Sequence, residues 1–286
     1  MSDEFDVVVL GGGPGGYAAA LRASQLNLSV AMVEKDKVGG TCLHRGCIPT
    51  KALLHAGEVA DTAREAEQFG IKAELLGVDM AAMHAYKDGV VNRSYKGLQG
   101  LIKAAKNITL VEGEGRMTGR NSISVDGRTL TGRNLVLATG SHSRTLPGLE
   151  LDGERVISSE HALTLDRLPS SVVILGGGII GCEFASVWRS FGTEVTIVEA
   201  LDRLLATEDE DTSKQVQRAF RRRGIKALLG KPFERVEHTD TGVRVTVAGG
   251  ETLEADLLLV AVGRGPSTAG LGFEEQGLTV ERGFVP

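Results

Sequence analysis

The sequence predicts an α/β protein built from two doubly wound domains, and three observations carry that prediction. The order apolar strand, glycine-rich turn, helix, strand, acid occurs twice, over residues 5–34 and again over 172–199. Gly11, Gly13, Gly16 and Glu34 recur as Gly176, Gly178, Gly181 and Glu199, every one at the same offset of 165 residues. That constant offset marks an internal repeat of βαβ units, each able to open its own parallel sheet. Glycine supplies 38 of the 286 residues while aromatics are only 4%, a composition suited to close backbone approach between strands and helices.

The elements follow in order. FDVVVL at 5–10 reads as a strand, GGGPGG as a turn, YAAALRASQL as a helix and LSVAMV at 28–33 as a second strand ending at Glu34. Residues 50–66 and roughly 79–106 read as helices, and ITLVEGE, SISV and NLVLATG as short β segments. VVIL at 172–175, GGGIIG, a helix to about 190 and EVTIV at 194–198 form the second copy. A helix at about 208–223, strand-like runs at 233–247 and the strand DLLLVAVG at 256–263 come next. EDED opens that helix and RRR closes it, the order that complements a helix dipole, so these charges read as structural. The expected division is 1–145, 146–265 and a return to the first domain over 266–286, with the boundary in the polar stretch 143–169 between Pro147 and Pro169. GRGPST gives turn signals and the chain stops after GFVP without a terminal helix, which reads as a chain cut short.

Composition excludes several classes. With 42% hydrophobic and 24% charged residues the bulk of the chain is not disordered. The net charge of −5, with arginine clusters interrupted by acids, argues against a nucleic-acid partner. No apolar run reaches the roughly 18 residues of a membrane span. The acidic N-terminus, MSDEFD, is unlike a secretory leader, so the cytosol is the expected compartment.

Each GxGxxG follows a strand, opens a helix and is followed 18 residues later by a glutamate at a strand end. In such a Rossmann-like unit the first glycine makes the turn, the second admits a pyrophosphate, and the third lets helix and strand touch. Free N–H groups at the helix start meet the phosphate charge, and the acid accepts hydrogen bonds from a ribose diol. A carboxylate at Glu199 repels a 2′-phosphate, favouring NAD over NADP, although Arg203 four residues on works in the other direction.

Cys42 and Cys47 flank four residues in GGTCLHRGCIPTKALLHA at 39–56, with Pro49 suited to a first helical turn. A thiol at a helix N-terminus is the more reactive for the dipole beside it, and two such thiols read as a dithiol/disulfide pair. A zinc half-site with His44 or His55, or a pair of structural thiols, are the alternatives; no second ligand pair supports zinc.

With GGGPGG, Glu34, LATG at 137–140, GGGIIGCE at 176–183 and VAVGRGP at 260–266, the double-cysteine segment resembles the flavin-dependent pyridine nucleotide–disulfide oxidoreductases over the whole chain. It is most similar to the branch that oxidises dihydrolipoyl groups. The resemblance implies FAD at the first βαβ unit and NAD at the second. It implies that Cys42 exchanges with the dithiol substrate and that Cys47 lies against the flavin as a charge-transfer partner. Lys51 is implied to sit by the reactive edge of the isoalloxazine and to pair with Glu183. Gly115, Ala138, Thr139, Gly140 and Ser141 are implied as flavin-nucleotide contacts, and Val236 and Ala261 to Arg264, Gly263 among them, as nicotinamide-nucleotide contacts. Lipoyl domains of 2-oxo acid dehydrogenase complexes, and a second copy forming a homodimer, are the implied partners. Another disulfide or mercuric reductase of the family, or a non-catalytic nucleotide-binding fragment, are the other readings.

Two departures from the family stand out. His44 and Arg45 lie between the cysteines, where many members carry neutral residues, and either alter the redox poise or face solvent. The family's interface domain, with its His-x-x-x-x-Glu pair, and the Gly-Asp turn before it have no counterpart: histidines at 44, 55, 84, 142, 161 and 238 include no such pair. The chain alone is therefore expected to bind FAD weakly or not at all, to lack the dimer interface and to turn over dihydrolipoamide at best in traces.

Overall fold

A computed structural model describes residues 2–286. The chain divides into two compact units, one made of residues up to Ile48, Gly89–His142 and Gly265–Pro286, the other of Pro49–Asp88 and Ser143–Arg264.

In chain order the elements are β1 Ser2–Leu10, α1 Pro14–Gln25, β2 Val30–Glu34, α2 Gly40–Arg45, α3 Cys47–Arg64, α4 Met80–Ala104, β3 Ile108–Glu112, β4 Arg116–Gly119, β5 Ser122–Val125 and β6 Arg128–Leu137. They continue through β7 Ser141–Ser143, β8 Val156–Ser158, α5 Ser159–Ala162, β9 Ser171–Leu175, α6 Ile179–Ser190, β10 Glu194–Val198 and α7 Glu210–Arg222. Six strands complete the chain: β11 Lys226–Leu228, β12 Phe233–His238, β13 Val243–Val247, β14 Glu251–Ala255, β15 Leu257–Val260 and β16 Arg264–Pro266.

The first unit holds a six-stranded sheet in the order β3-β2-β1-β6-β5-β4. β1 runs parallel to both β2 and β6, with Val8 opposite Ala31 and Leu135. Buried on both faces, these strands are near-continuous apolar runs; Val8, Val9, Val30, Ala31 and Met32 have no exposed surface. One face packs with α1 and Leu43, the other with Ile123, Leu130 and Phe273. β1 begins earlier than its apolar run: Asp3 and Glu4 lie in the strand because it pairs far along β6, where Arg128 meets Asp3. A polar strand extension carries no apolar signal to read.

The 265–286 segment, expected to return to the first domain but read without regular elements, is part of the first sheet's second face. Phe273 is 2% exposed in that core, Met117 N–H donates to the Leu271 carbonyl, and Arg116 bridges to Glu275. Phe273→Ala is expected to cost about 3–5 kcal/mol, and a urea titration of the variant checks it.

The second unit holds a parallel sheet ordered β11-β10-β9-β15-β8 and an antiparallel three-stranded sheet β12-β13-β14. Leu257, Leu258 and Leu259 of β15 are fully buried, alternating between two cores: Leu257 and Leu259 face Phe184, Trp188 and Ile197, and Leu258 faces Val243 and Val245. The helix α3 contributes Leu53 and Ala60 to the first of these. A polar lock reinforces it: Asp61 accepts from Ser190 Oγ at 2.6 Å and pairs with Arg64 and Arg223 at 2.6 and 3.1 Å. β14 and α5 were not read from the sequence, the one because ETLEA at 251–255 is mostly polar and the other because it spans four residues. No helix among the described residues is long and apolar enough to cross a membrane.

Candidate functional site

The two glycine turns are built alike. Each begins as a strand ends: Gly11 N–H donates to the Val33 carbonyl at 2.8 Å, and Gly176 N–H to Val198 at 2.9 Å. Both first glycines take positive φ, 104° and 109°, and leave no room for a side chain. A Cβ on Gly11 would stand 2.2 Å from the Ala138 carbonyl oxygen, and one on Gly176 2.4 Å from that of Ala261. At the third positions a Cβ on Gly16 would lie 1.7 Å from the Gly11 carbonyl oxygen, and one on Gly181 2.0 Å from that of Gly176. The middle positions differ: the nearest atom to a Cβ on Gly13 is 3.9 Å away, and Gly178 has nothing within 4 Å. Those are the surroundings that a turn, a ligand approach and a helix–strand contact require in that order, so both turns fit a dinucleotide pyrophosphate. Helices α1 and α6 start directly beyond, without a side-chain cap on their first N–H groups.

The acids are fixed in the same way in both copies. Glu34 accepts from Gly12 N–H at 2.7 Å and Asp36 N–H at 2.9 Å. Glu199 accepts from Gly177 N–H at 2.6 Å and Leu201 N–H at 2.8 Å. Two N–H donors hold each carboxylate beside its turn, ready to accept from a diol. Arg203 turns into its own loop, donating from Nη2 to the Ala206 carbonyl at 2.9 Å.

In the first unit, Gly115 is a close-packing position, since a Cβ there would meet Leu10 and Val33 at 2.6 and 2.9 Å. Ala138 N–H donates to the Leu10 carbonyl at 2.8 Å, and Thr139, Gly140 and Ser141 continue from it at the strand ends, Gly140 with φ 77°. In the second unit Ala261 N–H donates to Leu175 at 2.8 Å, the corresponding bond, with Gly263 at φ 112° and Arg264 Nη1 3.4 Å from Ser143 Oγ. Val236 lies on β12 opposite Val245 and packs against the three-stranded sheet's core.

The cysteine segment is anchored to the first turn. After Gly39 and Gly40, at φ 106° and 55°, α2 carries Cys42; a Cβ on Gly40 would meet Gly13 Cα at 2.8 Å. The helix that bears Cys42 therefore starts in backbone contact with the glycine whose neighbourhood is open. At its far end Gly46 folds the chain back: a Cβ there would lie 3.0 Å from the Thr41 carbonyl oxygen and 3.3 Å from Cys42 Cα. Cys47 follows as the first residue of α3, exposed, with Pro49 in the same first turn; Cys42 is half-buried. The contact of this glycine pair with Gly13 left no mark in the sequence pattern.

Lys51 and Glu183 come together in the second unit, Nζ 2.6 Å from Oε1, with Glu183 the more buried partner. Cys182, beside Glu183, is buried under the second turn, its Sγ 3.4 Å from the Gly177 carbonyl oxygen. Burial, with Glu199 and Glu183 adding negative charge nearby, pushes its thiol up to about 12. At pH 8 about one molecule in 10⁴ then carries the thiolate. After mild reduction, iodoacetamide at that pH is expected to label exposed Cys47 and spare Cys182, whose labelling rises tenfold per pH unit towards 12; peptide mass spectrometry reads both. Among the described residues no group of three or more His, Cys, Asp or Glu is placed to hold a metal ion.

Two parallel βαβ units with braced acids, and a pair of cysteines carried from the first of them, define a two-dinucleotide protein with a thiol pair. The chain belongs to the pyridine nucleotide-disulphide oxidoreductase family, whose model matches residues 5–286. It is 41% identical to a dihydrolipoyl dehydrogenase of Bacillus subtilis (strain 168), over 100% of this chain and 64% of that protein. A leghemoglobin reductase of Vigna unguiculata is 42% identical over 98% of this chain and 56% of its own length. Among solved structures, LpdA from Mycobacterium tuberculosis superposes with a TM-score of 0.89 at 28% identity, covering 98% of this chain and 63% of that one. The HOCl-induced flavoprotein disulfide reductase RclA from Escherichia coli, in its Cu(II) complex, gives 0.84 at 30% identity, covering 99% and 62%. The chain thus spans less than two thirds of the length of these relatives.

Proposed function

We propose that this chain supplies the two dinucleotide sites and the redox thiols of a flavin-dependent disulfide oxidoreductase that oxidises dihydrolipoyl groups with NAD⁺. The observation that carries the reading is the contact of Gly40 with Gly13, which seats the Cys42 helix on the first dinucleotide turn. The dihydrolipoyl dehydrogenases among its relatives support the substrate. In this reading FAD belongs to Gly11, Gly13, Gly16, Glu34, Gly115 and residues 138–141, and NAD to Gly176, Gly178, Gly181, Glu199, Val236 and residues 261–264.

One sulfur of the substrate dithiol attacks Cys42 Sγ, breaking the Cys42–Cys47 bond and leaving Cys47 as the thiolate at the start of α3. The second substrate sulfur then closes the lipoyl disulfide and releases Cys42, so both electrons rest on the cysteine pair. FAD, when bound, supplies the two-electron relay from these thiols to NAD⁺. Lys51 keeps its charge balanced by Glu183 within the second unit. Lipoyl domains of 2-oxo acid dehydrogenase complexes are the partners of this reading, and homodimerisation belongs to the full-length enzyme.

The test is reduction of the chain's disulfide by dihydrolipoamide, followed by alkylation and mass spectrometry, beside reduction by glutathione. Preferential reduction by dihydrolipoamide with label on Cys42 supports the reading. No disulfide between Cys42 and Cys47 overturns it, and equal response to both thiols points to another disulfide reductase of the family. For the nucleotide, NADH is expected to bind at least tenfold tighter than NADPH, because the 2′-phosphate meets the fixed Glu199 carboxylate. Glu199→Ala narrows that gap, as read by titration calorimetry; equal affinities in the unaltered chain would sink the claim.

A further inference from the structure

We propose that His44 is a positioning residue for the Cys42–Cys47 pair, setting how readily the two thiols close into a disulfide. The proposal rests on the reading of those cysteines as the redox pair.

The reason lies in what fixes α2. At six residues it is far shorter than a helix that is stable by itself, and its N-cap, Gly39, provides no side-chain cap. Its fixed geometry must come from tertiary contacts. Leu43 supplies one, buried among Val7, Val9 and Val38. His44 supplies two more: Nε2 lies 2.9 Å from the Val38 carbonyl oxygen, and the ring stands edge-on to Tyr95, centroids 4.9 Å apart at 76°. The Val38 carbonyl accepts only from an Nε2–H, which fixes the ring's tautomer. Val38 is itself 4% exposed, and the next residue donates from Gly39 N–H to the Gly12 carbonyl at 2.8 Å. His44 therefore fastens the Cys42 helix to the same loop that braces Glu34. Arg45 does something similar but weaker: its pair with Asp36 at 3.2 Å is half exposed on both sides, and such surface pairs contribute little.

Disulfide closure depends on the effective concentration of one thiol at the other, which falls as the element carrying one of them loosens. In the 286-residue chain equilibrated with glutathione buffers, Cys42 and Cys47 give up two electrons and two protons to one oxidised glutathione, yielding the protein disulfide and two reduced glutathiones. His44→Ala is expected to lower that equilibrium constant about tenfold, equivalent to about 30 mV. His44→Gln, which keeps a donor for Val38, is expected to stay within threefold, and Arg45→Ala within twofold. Acid quenching, alkylation and peptide mass spectrometry read the ratio. Protection of Cys182 from alkylation, together with the melting temperature, shows whether the fold is intact, so a structural collapse is separated from a redox change.

A shift of less than twofold in His44→Ala, or an equal shift in Arg45→Ala, overturns the inference while leaving the redox pair standing. If His44→Ala does not fold, a tenfold shift in His44→Gln overturns the donor's role and wild-type poise in His44→Gln supports it. Absence of any Cys42–Cys47 disulfide in the unaltered chain overturns the redox reading and this inference with it.

Discussion

Gly181→Ala is expected to lower the melting temperature by about 2–12 °C and to weaken NADH binding at least a hundredfold. The added methyl would lie 2.0 Å from the Gly176 carbonyl oxygen and 3.3 Å from Ile174 Cγ2. A carbon and an oxygen in non-bonded contact need more than 3 Å, so the turn or the helix must move by about 1 Å. Neither moves freely: Gly176 N–H is bound to Val198, and the next residue, Gly177, holds Glu199 at 2.6 Å. Forcing atoms into such a site typically costs about 1–3 kcal/mol, which for a protein of this size is roughly 2–4 °C per kcal/mol. The binding loss is larger because both the phosphate N–H groups and the ribose acid ride on the displaced turn. Gly178→Ala makes the contrast, since nothing lies within 4 Å of a Cβ there. It should melt with the unaltered chain while losing NADH affinity, the methyl occupying space meant for the ligand. Equal melting temperatures and equal affinities for the two variants would contradict the assignment of the three glycine roles.

Cys47→Ser is expected to abolish the protein's thiol–disulfide cycle, lowering its rate of exchange with dihydrolipoamide by at least 10³-fold. Given oxidised glutathione, the single remaining thiol at 42 displaces one reduced glutathione and forms a mixed disulfide with the other half, but it has no neighbour to resolve it. The mixed disulfide should therefore accumulate and appear as a mass increase on Cys42, whereas Cys42→Ser should leave an exposed thiol that reacts with simple disulfides but does not turn over. Cys182→Ser is the control, because its thiol is buried beneath the second turn. Retained cycling in Cys47→Ser would move the redox role elsewhere in the chain.

The repeat, both turns and both acids were legible because the chemistry demands those residue types at that spacing, and glycine at 11, 16, 176 and 181 is required by atoms that a sequence reader can anticipate. The strand limits of β9 and β10 were legible for a similar reason, since they are short apolar runs bounded by turns. What the sequence did not show is how segments distant from these motifs are used. Phe273 looked like part of a turn-rich tail, because a single buried aromatic leaves no periodicity. His44 and Arg45 were visible as departures, yet their partners, a backbone carbonyl at Val38 and the side chain of Asp36, depend on the path of the loop rather than on any pattern. Lys51 and Glu183 are separated by 132 positions, so only resemblance paired them in advance.

The nesting of one unit within the other has a consequence for the order of folding. Residues 143–264 lie, in chain order, between the strands of the first sheet and the segment that carries Phe273. During synthesis the parallel sheet of the second unit can close as soon as β15 emerges. The first sheet has all its strands well before that, but one face stays without Phe273, Leu271 and Leu278 until the chain has been made past them. β1 must also wait for β6, more than 120 residues away, a separation that slows pairing. The nascent first unit is thus a half-covered sheet for the time it takes to translate the second, the kind of exposed apolar surface that recruits chaperones or aggregates.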